Sequence, residues 1–244
     1  MEIIILGSGT CFPSERNQSS YLLRTENEDL ILDFGSGALR SLLNFNITYE
    51  DINHIFLTHN HPDHISDLIP FFHACRQTRK RDLNIFGFKG LKEFIKNVFR
   101  AILGTEPRDY KINFVEMENS VVELDNIKVF SKPVKHTKNS IGFRVEAGGK
   151  IFSYSGDSGM IENLIDLSMN ADLAIIESSF PAQMRHDLHL TSAEAGIIAR
   201  KANVKKLVLT HLYPICDENI IKLQAEREFG GEVIVARDLL RVNI

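Results

Sequence analysis

Several things are missing from this chain of 244 residues, and each absence narrows what it can do. Its three cysteines, Cys11, Cys75 and Cys216, are an odd number at wide spacing without a Cys-x-x-Cys pair, which speaks against a disulfide framework and against a zinc ribbon. A reducing compartment fits them. No apolar run reaches the length of a membrane span, so no membrane partner is expected. Excess positive charge is missing as well: 28 Lys and Arg stand against 32 Asp and Glu, a net charge of −4. Broad positive potential is therefore not its means of holding nucleic acid, although a local basic patch remains compatible. No basic leader or small-residue cleavage site precedes the first apolar run, Glu2-Ile3-Ile4-Ile5-Leu6, and the expectation is a soluble protein of the cytoplasm. Internal repeats, low-complexity stretches and linkers rich in Pro, Gly or Ser are absent too, which predicts one domain over residues 1–244.

What is present is concentrated in Thr58-His59-Asn60-His61-Pro62-Asp63-His64. Four residues able to bind metal, His59, His61, Asp63 and His64, fall within six positions. They follow the apolar run Ile52 to Leu57, read as a buried strand, and precede the amphipathic run Ser66 to Arg79, read as a helix. Alternate residues of an extended chain point the same way, so His59 and His61 can grip one ion together. Asp63 and His64 lie past Pro62, where the chain must turn, and can face a second. Imidazole and carboxylate suit zinc, manganese or iron better than calcium or magnesium. Lone histidines are more often structural, and His54 in the preceding strand and His73 in the following helix are read that way.

Elsewhere, ligand-type residues recur at the ends of predicted strands. Lys128 to Val134 leads to His136, Ile151 to Ser155 to Asp157, Lys206 to Thr210 to His211, and Leu173 to Ile176 to Glu177. Side chains far apart in sequence and all at strand ends are what a site on a sheet edge requires. Gly7-Ser8-Gly9 after the first strand reads as a tight turn more readily than as a phosphate cradle, because no helix signal follows at once. The apolar positions of Leu91 to Leu103, Ile102 among them, fall at helical spacing and predict packing. Arg76, Arg79, Lys80 and Arg81, beside Cys75, read as a solvated helix end.

The His59 to His64 stretch resembles the signature of the metallo-β-lactamase-fold hydrolases, and the rest of the chain is most similar to their ribonuclease Z-like phosphodiesterase branch. That resemblance, and not the element pattern, implies an α/β fold of four layers, an αββα sandwich of two mixed sheets flanked by helices. It also implies two divalent ions, zinc first with manganese or iron as alternatives. The residues matching His59, His61 and His136 would hold one ion, and those matching Asp63, His64 and His211 the other. Asp157, in Ser155-Gly156-Asp157-Ser158, would bridge them. Two ions about 3.5–4 Å apart activate a bridging water as the nucleophile and stabilise charge on a phosphodiester oxygen. Asp63 would orient that water and accept its proton. Glu177-Ser178-Ser179-Phe180 and His189-Leu190-Thr191-Ser192-Ala193 resemble two further motifs of that branch, in which the Glu holds the His as proton donor to the leaving oxygen. His186 competes with His189 for this role, and Thr191 with Glu194 reads independently as a capping box.

Three departures separate the chain from the enzymes that process tRNA. Their loop Pro-x-Lys-x-Arg-Asn is here Pro13-Ser14-Glu15-Arg16-Asn17, shorter by one and without the lysine. Their flexible tRNA-binding arm has no place between His136 and Asp157, where residues 137–156 read as a hairpin. The final motif, His211-Leu212-Tyr213-Pro214, resembles short stand-alone hydrolases instead. The expectation is therefore a dinuclear phosphodiesterase acting on a small or cyclic nucleotide or an RNA end, with ribonuclease Z as the alternative enzyme and a metal-stabilised, non-catalytic nucleotide sensor as the alternative class. Relatives suggest a homodimer.

Overall fold

Strands buried on both faces need cover on both sides, and this chain supplies it in layers. The computed structural model describes every residue from Met1 to Ile244. It contains two seven-stranded sheets. One orders as β14 (Arg241–Asn243), β1 (Glu2–Gly7), β2 (Ser20–Arg24), β3 (Asp29–Phe34), β4 (His54–Leu57), β5 (Leu83–Gly87) and β6 (Ile112–Glu116). The other orders as β13 (Glu232–Val235), β12 (Lys206–Thr210), β11 (Leu173–Glu177), β10 (Lys150–Tyr154), β9 (Ile141–Ala147), β8 (Ile127–Pro133) and β7 (Ser120–Leu124). Each sheet is mixed. In the first, β14 through β3 pair antiparallel and β3 through β6 parallel. In the second, β7 through β10 pair antiparallel and β10 through β13 parallel.

The twofold alternation of side chains along each strand builds three cores. Ile3, Ile5, Phe56, Leu173 and Ile175 point between the sheets, where they meet Tyr21, Phe143 and Tyr154. Their neighbours Ile4, Leu6, Ile55 and Leu57 point outward onto helices α1 (Ala38–Leu42), α3 (Leu68–Thr78) and α4 (Leu91–Val98). Ala174, Ile176, Leu207 and Leu209 do the same on the far face, under α5 (Glu162–Ser168), α6 (Ser192–Lys201) and α7 (Glu218–Phe229). The result is the αββα sandwich.

Some local expectations needed correction. The helix read over Ser66 to Arg79 is α3, and a single turn not expected from the sequence, α2 (Pro62–Ile65), precedes it with Pro62 in its first turn. A proline in the first turn loses no hydrogen bond, so Pro62 starts a helix instead of only bending the chain. Ile102 is 55% exposed, because the helix widens into a π turn over Phe99–Leu103 and rotates it off the packed face. Arg79 is not a solvated helix end. It is buried, and its guanidinium donates to the carbonyls of Ile52, Arg81 and Asp82 at 2.7–2.9 Å, closing a loop against α3. Gly7 lies against backbone: a Cβ there would meet the carbonyl oxygen of Gln18 at 1.8 Å. The segment 137–156 is the hairpin of β9 and β10.

Candidate metal centre

Three strand ends turn their chemistry toward one edge of the sandwich by leaving the extended conformation. Asp33 (φ +54°), Gly156 (φ +59°) and His211 (φ +56°) all adopt left-handed backbone just at or after the ends of β3, β10 and β12. For a residue with a side chain this conformation costs about 1 kcal/mol or more. Gly156 avoids that cost, and it has to be small as well, since a Cβ would stand 2.9 Å from the Thr58 side chain. The edge also receives His59 and His61 from the loop after β4, Asp63 and His64 from α2, and His136 from the loop after β8.

Here the structure brings the candidate residues together. His59, His61, His136 and Asp157 each present a donor atom within 4.8 Å of the others, and so do Asp63, His64 and His211. Asp157 lies between the sets. Its Oδ2 is 3.7 Å from the Nε2 atoms of His59 and His136 and 3.4 Å from that of His211, while its Oδ1 is 3.2 Å from His64 Nε2. His54 instead faces Glu28 at 3.3 Å, and His73 is exposed.

The hydrogen bonds show which ring nitrogens are free. His64 Nδ1 donates to Asp33 Oδ2 at 2.7 Å. Thr58 Oγ1 donates to the same carboxylate at 2.8 Å, so its oxygen accepts from His59 Nδ1 at 3.0 Å. Ser179 Oγ donates to Glu177 Oε2 at 2.6 Å and accepts from His211 Nδ1 at 2.9 Å. His136 Nδ1 donates to the Leu188 carbonyl at 3.1 Å. In all four rings Nδ1 is held by the protein and Nε2 is turned toward the cluster. His61 is turned the other way, with Nδ1 3.0 Å from His136 Nε2.

The cluster fits cations. Buried side-chain nitrogen and oxygen atoms are nearly always hydrogen-bonded, yet His59 Nε2, His64 Nε2 and Asp157 Oδ1 are buried with no such partner. Burial, reinforced by the neighbouring His64, holds His59 well below the ordinary imidazole range, and burial lowers His136 too, which keeps both rings neutral and able to ligate. Burial would raise the Asp157 carboxyl, but the surrounding His211 and His64 outweigh it and hold it ionised.

Beside the cluster lies a second polar layer. Glu177 is fully buried and accepts from Ser158 N at 2.6 Å, Ser179 Oγ at 2.6 Å and His189 Nδ1 at 3.0 Å. His189 stacks on His211, rings 5.6 Å apart and 12° from coplanar, and lies 4.8 Å from the His136 ring. Burial would depress its pKa, but the Glu177 hydrogen bond and charge prevail and raise it. His186 is exposed 5.3 Å from the His189 ring and accepts from the Leu188 amide, without a carboxylate behind it. The capping box of Thr191 and Glu194 is present and starts α6 directly after His189.

The residues that orient the cluster went unrecognised in the sequence: Asp33, Thr58, Ser179 and the Leu188 carbonyl. Asp33 ends a strand as Asp157 nearly does, and Thr58 and Ser179 adjoin recognised motifs, so a signal existed for those three. A backbone carbonyl carries none.

Comparison with known proteins agrees with this architecture. Residues 32–212 match the β-lactamase superfamily domain, and the chain belongs to that family. Within it the chain is ribonuclease Z-like and of the short form. It is 28% identical to the ribonuclease Z of Methanothermobacter thermautotrophicus, an alignment covering 100% of this chain and 97% of that one. That alignment spans 299 positions against the 244 residues here, so 55 positions have no counterpart in this chain. An uncharacterised protein of Mycobacterium bovis is 30% identical over 243 positions, covering 96% of this chain and 88% of its own. Among solved structures, the metallo-β-lactamase fold protein YhfI of Bacillus subtilis superposes with a TM-score of 0.88 at 26% identity, covering 99% of this chain and 98% of that one. Human short-form tRNase Z superposes with a TM-score of 0.83 at 26% identity, covering 100% and 99%.

Proposed function

We propose that this metal-dependent hydrolase is a phosphodiesterase with a dinuclear centre, acting on a small nucleotidyl diester or an RNA end. The Glu177–His189 pair carries the reading, because it places a proton donor beside the ion-binding cluster, where a leaving alkoxide needs one. His59, His61 and His136 would hold one divalent ion, Asp63, His64 and His211 the second, and Asp157 would reach both. Zinc, manganese and iron all suit these donors. When bound, the ions supply Lewis acidity toward a phosphodiester oxygen and toward the attacking water.

The protein's own groups do the rest. Asp63 is held ionised because His211 and His64 outweigh its burial, and it is free to accept the proton of the attacking water. The Nδ1 proton of His189 is held by Glu177, which leaves Nε2 to give its proton to the leaving oxygen. Asp33, Thr58 and Ser179 keep three ligand rings in one tautomer, so little reorganisation remains when the ions and substrate arrive.

A small diester is favoured over precursor tRNA by the hairpin at residues 137–156 and by the 55 alignment positions missing relative to the archaeal ribonuclease Z. The deciding experiment offers bis-p-nitrophenyl phosphate and a 3′-extended precursor tRNA to zinc- and manganese-loaded protein, with Asp63→Ala as control. Hydrolysis of the small ester alone, lost in the variant, is the expected result. Cleavage of the tRNA at its discriminator base would make the protein a ribonuclease Z working without an arm. Two bound metals with neither substrate cleaved would favour a nucleotide sensor.

A further inference from the structure

Next to the candidate centre runs a chain of aromatic rings that the chemistry above does not use. Tyr213 follows His211 by two residues and its ring lies 5.9 Å from that imidazole and 6.1 Å from His189. The Phe180 ring lies 4.9 Å from that of Tyr213, and the Phe12 ring lies 5.2 Å from it. Phe12 is 53% exposed, an unusual place for a large aromatic side chain. It sits on the loop after β1, in contact with a ring that borders the proton donor.

We propose that Phe12 and Tyr213 form a stacking shelf for the base of a nucleotidyl phosphodiester whose scissile phosphate lies at the candidate metal centre. This rests on the phosphodiesterase reading and names its substrate class. An aromatic ring already propped by a second ring loses little freedom when a base covers it, and stacking accepts any base because every base has a π face. The shelf therefore favours a nucleoside next to the scissile bond without selecting which one.

Two measurements test it. The first is the ratio of kcat/KM for thymidine 5′-p-nitrophenyl phosphate to that for methyl p-nitrophenyl phosphate. In both, water adds to phosphorus and the bond to the p-nitrophenyl oxygen breaks, giving p-nitrophenol and a phosphomonoester. Stacking energies of about 1–3 kcal/mol convert to an expected fall of about 5- to 150-fold in this ratio for Phe12→Ala, with Phe12→Tyr restoring it. The second needs no turnover. The chain has no tryptophan, so Phe12→Trp introduces a single indole reporter. Adenosine 5′-monophosphate is expected to quench it saturably, and ribose 5-phosphate is not. An unchanged ratio in Phe12→Ala, or emission that does not distinguish the two phosphates, overturns the shelf. Failure of the parent protein to cleave either ester overturns the phosphodiesterase reading instead.

Discussion

Asp33 accepts the Nδ1 proton of His64 at 2.7 Å, with both side chains wholly buried. The same carboxylate accepts from the Tyr154 hydroxyl at 2.7 Å and from Thr58, whose hydroxyl in turn orients His59. One buried acid at the end of β3 thus sets the tautomers of one candidate ligand on each side of Asp157, and ties them to β10 in the facing sheet.

If Asp33 orients the ligands, Asp33→Asn should weaken metal binding about 10- to 100-fold while the fold persists, because the amide still accepts one bond but no longer carries the charge that makes His64 a strong donor. Competitive chelator titration of the purified variant measures this directly. Affinity equal to that of the parent would remove Asp33 from the account of the centre.

The Glu177–His189 pair predicts a pH dependence. Glu177 raises the His189 pKa above its ordinary 6.5 despite burial, so the folded state gains from the imidazolium. That gain is fully present below 6.5 and is lost as pH rises through the raised value. A general acid loses activity along the same limb. In Glu177→Gln the alkaline limb of kcat should move to lower pH and kcat should fall about 10²- to 10⁴-fold, as read from a pH–rate profile on a phosphodiester with a poor leaving group. A limb that stays in place would assign the titration to another group.

Metal removal should destabilise the protein. A ligand present at about 100 times its Kd stabilises by about 2.7 kcal/mol per site, which in a chain of this size corresponds to roughly 5–11 °C in Tm. Differential scanning fluorimetry of chelator-treated protein, before and after zinc or manganese is returned, gives the shift. An identical Tm in all three samples would contradict a metal centre in these residues.

Gly156→Ala places a Cβ 2.9 Å from Thr58 at φ +59°, so it meets strain and a clash together. A loss of about 1–3 kcal/mol is expected, seen as a lower midpoint in urea unfolding, with metal affinity falling because Asp157 is the next residue. A variant as stable as the parent would show that the β10 end can relax.

The strands and their order along the chain were largely readable from alternation and apolar runs, because β-branched and aromatic residues between turn signals have few other places to go. The hairpin of β9 and β10 lies within residues 137–156, where the sequence places it. The α2–α3 break and the π turn after α4 were not readable, because each is a small change of helical register decided by what the helix packs against. The seven cluster residues were legible as chemistry through their spacing at strand ends.

The sequence by itself determined the donor types, their position at the ends of apolar runs, and the lack of room for an arm between His136 and Asp157. Only the tertiary structure decided that β10, β11 and β12 run parallel with their ends at one edge, so that Asp157, Glu177 and His211 converge. It alone decided which nitrogen of each ring is free, since that depends on partners such as Asp33 and Leu188, 31 and 52 residues away in the chain. Hydrogen-bond partnership is a property of distance in space, and local pattern carries no record of it.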